Sequence, residues 1–127
     1  MIHEEICTYE VCKLAKEKGF REKCIVHYYD DTKDWYRSSN PQCYNFGGNT
    51  SDAPTQSLLQ RWLREEKGVV FGISPMQEMD CDYLGWCATI YKVDENGYGL
   101  SWQEELYYNT YELALENALK YALENLI

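Results

Sequence analysis

The chain has 127 residues, 45% of them hydrophobic, and a formal net charge of −9. That length suits a single domain, 1–127, able to bury roughly two-thirds of its unfolded surface, and no apolar run approaches the roughly 18 residues of a membrane span. A direct nucleic-acid binder needs a basic patch to displace phosphate counterions; here the 12 Lys and Arg are dispersed among Glu and read as solvated helix faces.

Residues 1–5 carry neither the basic nor the apolar region of a secretion signal, so a cytoplasmic location without membrane contact is expected. Six cysteines, at 7, 12, 24, 43, 81 and 87, include no C-x-x-C pair. Structural zinc is disfavoured by that spacing, and reduced, partly buried thiols are the better account. No cofactor or metal is expected.

A first helix is predicted from about residue 4 or 8 to 18, with Cys7, Val11, Leu14 and Ala15 as its apolar stripe. Gly19 suits the left-handed position after its end, with Phe20 folding back onto Leu14 or Ala15. A strand over 23–29 follows. Residues 31–52 are rich in turn formers and show neither period, so an irregular loop is expected there. It carries Trp35, Tyr36, Tyr44 and Phe46, which either form a binding site or pin the loop to the core.

A second helix is expected to begin near Ala53-Pro54, with Leu58, Leu59, Trp62 and Leu63 buried. A strand over 69–74 comes next, and then a long hairpin of strands 81–94 and 98–107 around Glu95-Asn96-Gly97. A three-residue loop with Gly97 left-handed opposes Ile90 with Trp102 and Trp86 with Leu106. It gathers Trp86, Ala88, Ile90, Leu100 and Trp102 on the core face and leaves Tyr83, Tyr91 and Gln103 outside. The final helix, 110–126, is the clearest periodic signal in the chain, with Thr110 or Asn109 as its cap.

The resulting order is α-β-α-β-β-β-α. A right-handed crossover would pair the first strand parallel to the strand after the second helix. The fold class is α+β, a two-layer sandwich of a mostly antiparallel four-stranded sheet with three helices on one face.

Three segments resemble small uncharacterised proteins encoded by phages and mobile elements of gut anaerobic bacteria. They are Tyr9-Glu10-Val11-Cys12-Lys13-Leu14-Ala15-Lys16-Glu17-Lys18-Gly19-Phe20, then Ala53-Pro54-Thr55-Gln56-Ser57-Leu58-Leu59-Gln60-Arg61-Trp62-Leu63-Arg64-Glu65-Glu66, and residues 110–127. The likeness is one of framework outside 31–52. It implies an intracellular accessory protein and no particular activity.

Chemical motifs are sparse. His3-Glu4-Glu5-Ile6-Cys7 starts like a zinc protease helix without its second histidine, and Asp30-Asp31-Thr32-Lys33-Asp34 lacks the glycine and closing Glu of a calcium loop. Gly47-Gly48-Asn49-Thr50 lacks the Lys of a phosphate loop. No catalytic constellation stands out, so a non-enzymatic protein is expected. It would bind a protein partner or itself through a sheet face (Tyr83, Tyr91, Gln103) or the aromatic loop (Trp35, Tyr36, Tyr44, Phe46), since Tyr and Trp offer stiff contact area. Two alternatives are an acidic mimic or inhibitor of a nucleic-acid-processing protein and a small enzyme with a site between His27 and the 31–52 loop.

Overall fold

The structure, a computed structural model, describes residues 2–77, 84–103 and 107–127, which divide into two units, 1–59 and 60–127. Unit one opens with α1 (Tyr9–Glu17), where the Thr8 hydroxyl accepts from the Val11 N–H and closes the first turn. Gly19 takes φ +97°, and the Phe20 N–H returns to Ala15 O, so the wholly buried Phe20 ring ends the helix as its spacing predicts.

After α1 come β1 (Cys24–Tyr29), β2 (Trp35–Gln42) and β3 (Thr50–Ala53), a sheet in the order β2-β1-β3 with both pairings antiparallel. Two expectations are overturned here. Most of the span 31–52 is strand, leaving residues 43–49 as the irregular part. Further, β1 takes its partners from this neighbouring segment instead of pairing parallel to a distant strand. Short connections make local antiparallel pairing cheap in closure entropy, whereas a parallel pairing needs a long crossover. Strand β2 escaped detection because Ser38-Ser39-Asn40-Pro41 is turn chemistry; at a sheet edge neither Pro nor polar side chains are penalised.

Helix α2 (Gln56–Lys67) begins two residues beyond Pro54, because Ala53 is held in β3 and Thr55 Oγ1 caps the helix by accepting from the Leu58 N–H at 3.1 Å. Unit two continues with β4 (Val69–Gln77), β5 (Leu84–Asp94), β6 (Gly97–Gln103) and α3 (Tyr111–Asn125). Its sheet is an antiparallel meander, β4-β5-β6. Among the described residues the chain is therefore α+β with three helices, and its strands form two three-stranded sheets instead of the expected four-stranded one.

The hairpin turn is tighter than expected. Asp94 pairs with Gly97 (φ +105°), and Ile90 meets Trp102 only because a bulge near Ser101 restores the register. The bulge puts Leu100 opposite Tyr91 on the outer face, 58% exposed, and so removes it from the expected core set. Trp86 is bridged to Tyr108; the proposed partner Leu106 lies outside the described residues. Ala88 and Ile90 are buried as expected, while Trp102 stacks on Tyr121 (4.7 Å) and Trp86 meets Tyr111 edge-on (5.6 Å) at the surface of α3. The α3 stripe, Ala114, Leu115, Ala118, Leu119, Ala122 and Leu123, is buried, each leucine contributing about 1.5–3 kcal/mol. No described helix is long and apolar enough to cross a membrane.

Candidate functional site

Residues directly opposite in a ladder share a face. His27 pairs with Tyr36 on one side and with Asp52 on the other, so one face of unit one carries all three. The residues between them, Val26 and Tyr28 with Trp35, Arg37, Ser51 and Ala53, look the other way, toward α1. Tyr28 packs edge-on against Tyr9 and donates its hydroxyl proton to Cys7 O at 3.1 Å.

On the first face, His27 and Asp52 are both fully buried and joined by a 2.7 Å bond between Nδ1 and Oδ1. The other carboxylate oxygen, Oδ2, accepts from the Tyr44 N–H at 2.7 Å. The Asp52 N–H donates to Asn45 Oδ1 (2.8 Å), and the Asn45 amide donates to Phe20 O (3.0 Å). Asp52 thus fastens the 43–49 segment at two points, satisfying groups that would otherwise be buried without partners.

The second ring nitrogen of His27, Nε2, lies 3.0 Å from Ser38 Oγ, completing a Ser38–His27–Asp52 chain. The hydroxyl also lies 2.7 Å from Asn40 O and 3.3 Å from Ile25 O. It has one proton for three acceptors. Given to Nε2, that proton leaves the arrangement of a nucleophile and its base; given to Asn40 O, it makes Ser38 a clamp within β2. The 2.7 Å contact favours the clamp.

Aromatic rings cover the pair. Tyr36 and Tyr44 lie 5.1 and 4.7 Å from the imidazole, and Tyr29 stacks on Tyr36 at 4.6 Å. Burial, then the neighbouring Tyr29, Tyr44 and Asp52, push the Tyr36 phenol above its ordinary value, keeping it a neutral donor at physiological pH. Phe46, 78% exposed, carries the Arg21 guanidinium 5.4 Å above its ring. Tyr36, Cys43, Tyr44, Phe46 and residues 47–50 enclose a shallow recess of about 400 Å³. Ser38 does not line it.

The expected aromatic quartet is therefore divided. Tyr36, Tyr44 and Phe46 line one recess, the two tyrosines against His27, whereas Trp35 projects from the opposite face, where Arg37 sits 5.5 Å above its indole. Of the sheet-face residues, Tyr91 and Gln103 are exposed in unit two and Tyr83 lies outside the described residues. Sequence reasoning missed Asp52, Ser38 and Asn45. Their relation to His27 is one of strand register, and the only local hint was polar residues alternating with Tyr36 in a segment rich in turn formers.

The opposite face has its own groove, of about 410 Å³, between the segment 3–6, β1, the end of β2 and residues 53–58. Where α1 meets β1, Asp30 gathers Ser51 Oγ (2.6 Å), the Tyr9 hydroxyl (3.2 Å), Lys16 Nζ (3.3 Å) and Lys13 Nζ (3.6 Å). Burial alone would raise its pKa, but these donors and cations win and hold it below the usual carboxylate range. Among the described residues, no group of three or more His, Cys, Asp or Glu is arranged to hold a metal ion. No protein-family model matches the chain, and no curated protein or solved structure is significantly similar to it.

Proposed function

We propose that unit one is a non-catalytic binding module whose protein partner, or second copy of the chain, seats on the His27 face against Tyr29, Tyr36, Tyr44 and Phe46. The observation that carries this reading is the two-point attachment of the 43–49 segment to a buried aspartate. An irregular loop that displays aromatic rings loses side-chain and backbone entropy on binding; hydrogen bonds to Asp52 remove part of that loss beforehand. Tyr44 and Phe46 are correspondingly accessible, 40% and 78% exposed, around a concave recess. Aromatic anchors of this kind dominate binding energy at protein interfaces.

The test is affinity capture from the native host in parallel with light scattering for self-association, using the intact chain and a Tyr44→Ala/Phe46→Ala variant. A partner or dimer retained by the intact chain and lost from the variant supports the reading. Equal retention by both overturns it.

A second reading rests on the Ser38–His27 contact alone. In it His27 Nε2 takes the Ser38 hydroxyl proton while Oγ attacks an ester carbonyl. The alcohol then leaves with that proton, and water hydrolyses the acyl-serine. The two carbonyl oxygens beside Oγ weigh against it, since developing negative charge there would be repelled rather than stabilised. Labelling of Ser38 by a fluorophosphonate, abolished in His27→Gln, would promote this reading over the first.

A further inference from the structure

We propose that the groove on the α1 side of the first sheet binds a medium-chain fatty carboxylate. Its size, about 410 Å³, falls within the roughly 300–1,000 Å³ typical of small-molecule sites. Ile6, Val26, Pro41, Ala53, Pro54 and Leu58 give it an apolar wall, and a smaller recess continues from Arg37 to Trp35. Two cations, Lys23 and Arg37, also line it.

Some cations of the chain meet carboxylates: Lys13 and Lys16 reach Asp30, Arg61 reaches Glu65, and Lys120 reaches Glu124. Lys23 and Arg37, both lining the groove, have no ion-pair partner among the described residues, and Arg37 rests on the Trp35 ring instead. The one acid on the rim, Glu4, accepts from Ser57 Oγ at 3.0 Å. Two unmatched cations beside an apolar wall are complementary to a carboxylate head with a hydrocarbon tail. The head would take a charge-assisted contact from Lys23 or Arg37, and the tail would replace water along the wall.

This site faces away from His27 and does not depend on the aromatic-face reading. Calorimetric titration of the full chain with sodium dodecanoate, below its micellar concentration, tests it against dodecyltrimethylammonium, which has a tail of equal length and the opposite charge. Saturable one-to-one binding of dodecanoate is expected, at least about tenfold tighter than the cationic amphiphile, with a Lys23→Glu/Arg37→Glu variant weakening it by about tenfold or more. Both substituted residues are exposed, so far-ultraviolet circular dichroism should remain that of the parent. Tyr44→Ala/Phe46→Ala should bind dodecanoate unchanged, which separates failure here from failure of the aromatic face. Equal affinity for the two amphiphiles, indifference to the charge reversal, or absence of saturable binding would each overturn the proposal. So would an acidic peptide that binds in this groove where dodecanoate does not.

Discussion

The two units are built from the same ingredients, a three-stranded antiparallel sheet and helices, yet their interiors differ in kind. Among the described residues every buried polar side chain (His27, Asn45, Ser51, Asp52 and Gln56) lies in residues 1–59, while the buried set of residues 60–127 is apolar throughout, from Trp62 and Leu63 to Leu119 and Leu123. An apolar interior stabilises without directional demands. A buried polar network stabilises less per group, because desolvation offsets most of the gain, but it holds chosen atoms in fixed relation. Unit two therefore reads as scaffold, and unit one as the place where geometry is being controlled.

The strongest way to break this contrast is to remove a hub from each interior. Asp52→Ala leaves the His27 ring nitrogen and the Tyr44 N–H buried without their acceptor, and should cost about 3–5 kcal/mol in denaturant unfolding. If that variant does not fold, Asp52→Asn keeps the shape and removes the charge, and hydrogen exchange at the Tyr44 amide should accelerate. Leu119→Ala in α3 should cost a similar amount, about 2–5 kcal/mol, through cavity formation. The difference lies in binding: Asp52 variants should weaken capture by the aromatic face, and Leu119→Ala should leave it unchanged. Equal effects of both on binding would erase the distinction between the units.

The same contrast explains what could be read in advance. Unit two was legible because its signals are local and periodic: the α3 stripe and the Thr110 cap lie where pattern places them. Two expectations fail there: the hairpin closes from Asp94 to Gly97 instead of through a three-residue loop, and Leu100 turns outward at a bulge near Ser101, since a single extra residue exchanges the two faces of a strand and leaves no mark on composition. Unit one hid more. Its edge strand β2 is polar and contains Pro41, its third strand has four residues, and the pairing of His27 with Asp52 spans 25 positions. Propensity is a statement about neighbours in sequence and cannot see a hydrogen bond between strands. The segment 31–52 was read as an irregular loop and is mostly strand; its aromatic residues were named, but the aspartate that accepts from the Tyr44 N–H was not.

Asp30 sharpens the comparison at a partly exposed site. Asp30→Asn should cost about 1–2 kcal/mol at neutral pH, through weakened contacts with Lys13 and Lys16. The sign with pH follows from the lowered folded pKa: the carboxylate contributes fully above its unfolded value of about 3.9 and loses that contribution as pH falls through the lower folded value. The stability gap between parent and variant should therefore close in acid, beginning near pH 4. A gap constant from pH 7 down to pH 2 would mean that the cations around Asp30 do no electrostatic work. At the outer face of unit two the expectation is smaller still. Tyr91→Ala, opposite the exposed Leu100, should change stability by no more than about 0.5 kcal/mol and leave capture intact.

The smallest effect concerns thiol reactivity, and it probes how tightly the 43–49 segment is held. Cys24 is buried beside Asp52, Cys43 and Glu22; burial first, and then those negative neighbours, push its thiol up to about 12. The thiolate is the reactive form, so at pH 8 almost none is available there. Cys43, adjoining the Cys24–Gln42 pair, is only half-buried and lines the aromatic recess. Alkylation at pH 8, followed by peptide mass mapping, should modify Cys43 well before Cys24. Asp52→Asn should shorten the interval from both directions, by removing the negative charge that opposes the Cys24 thiolate and by loosening the segment that covers it. Simultaneous modification of the two cysteines in the parent chain would show that residues 43–49 open freely in solution, and a freely opening segment could not present Tyr44 and Phe46 as a preformed surface.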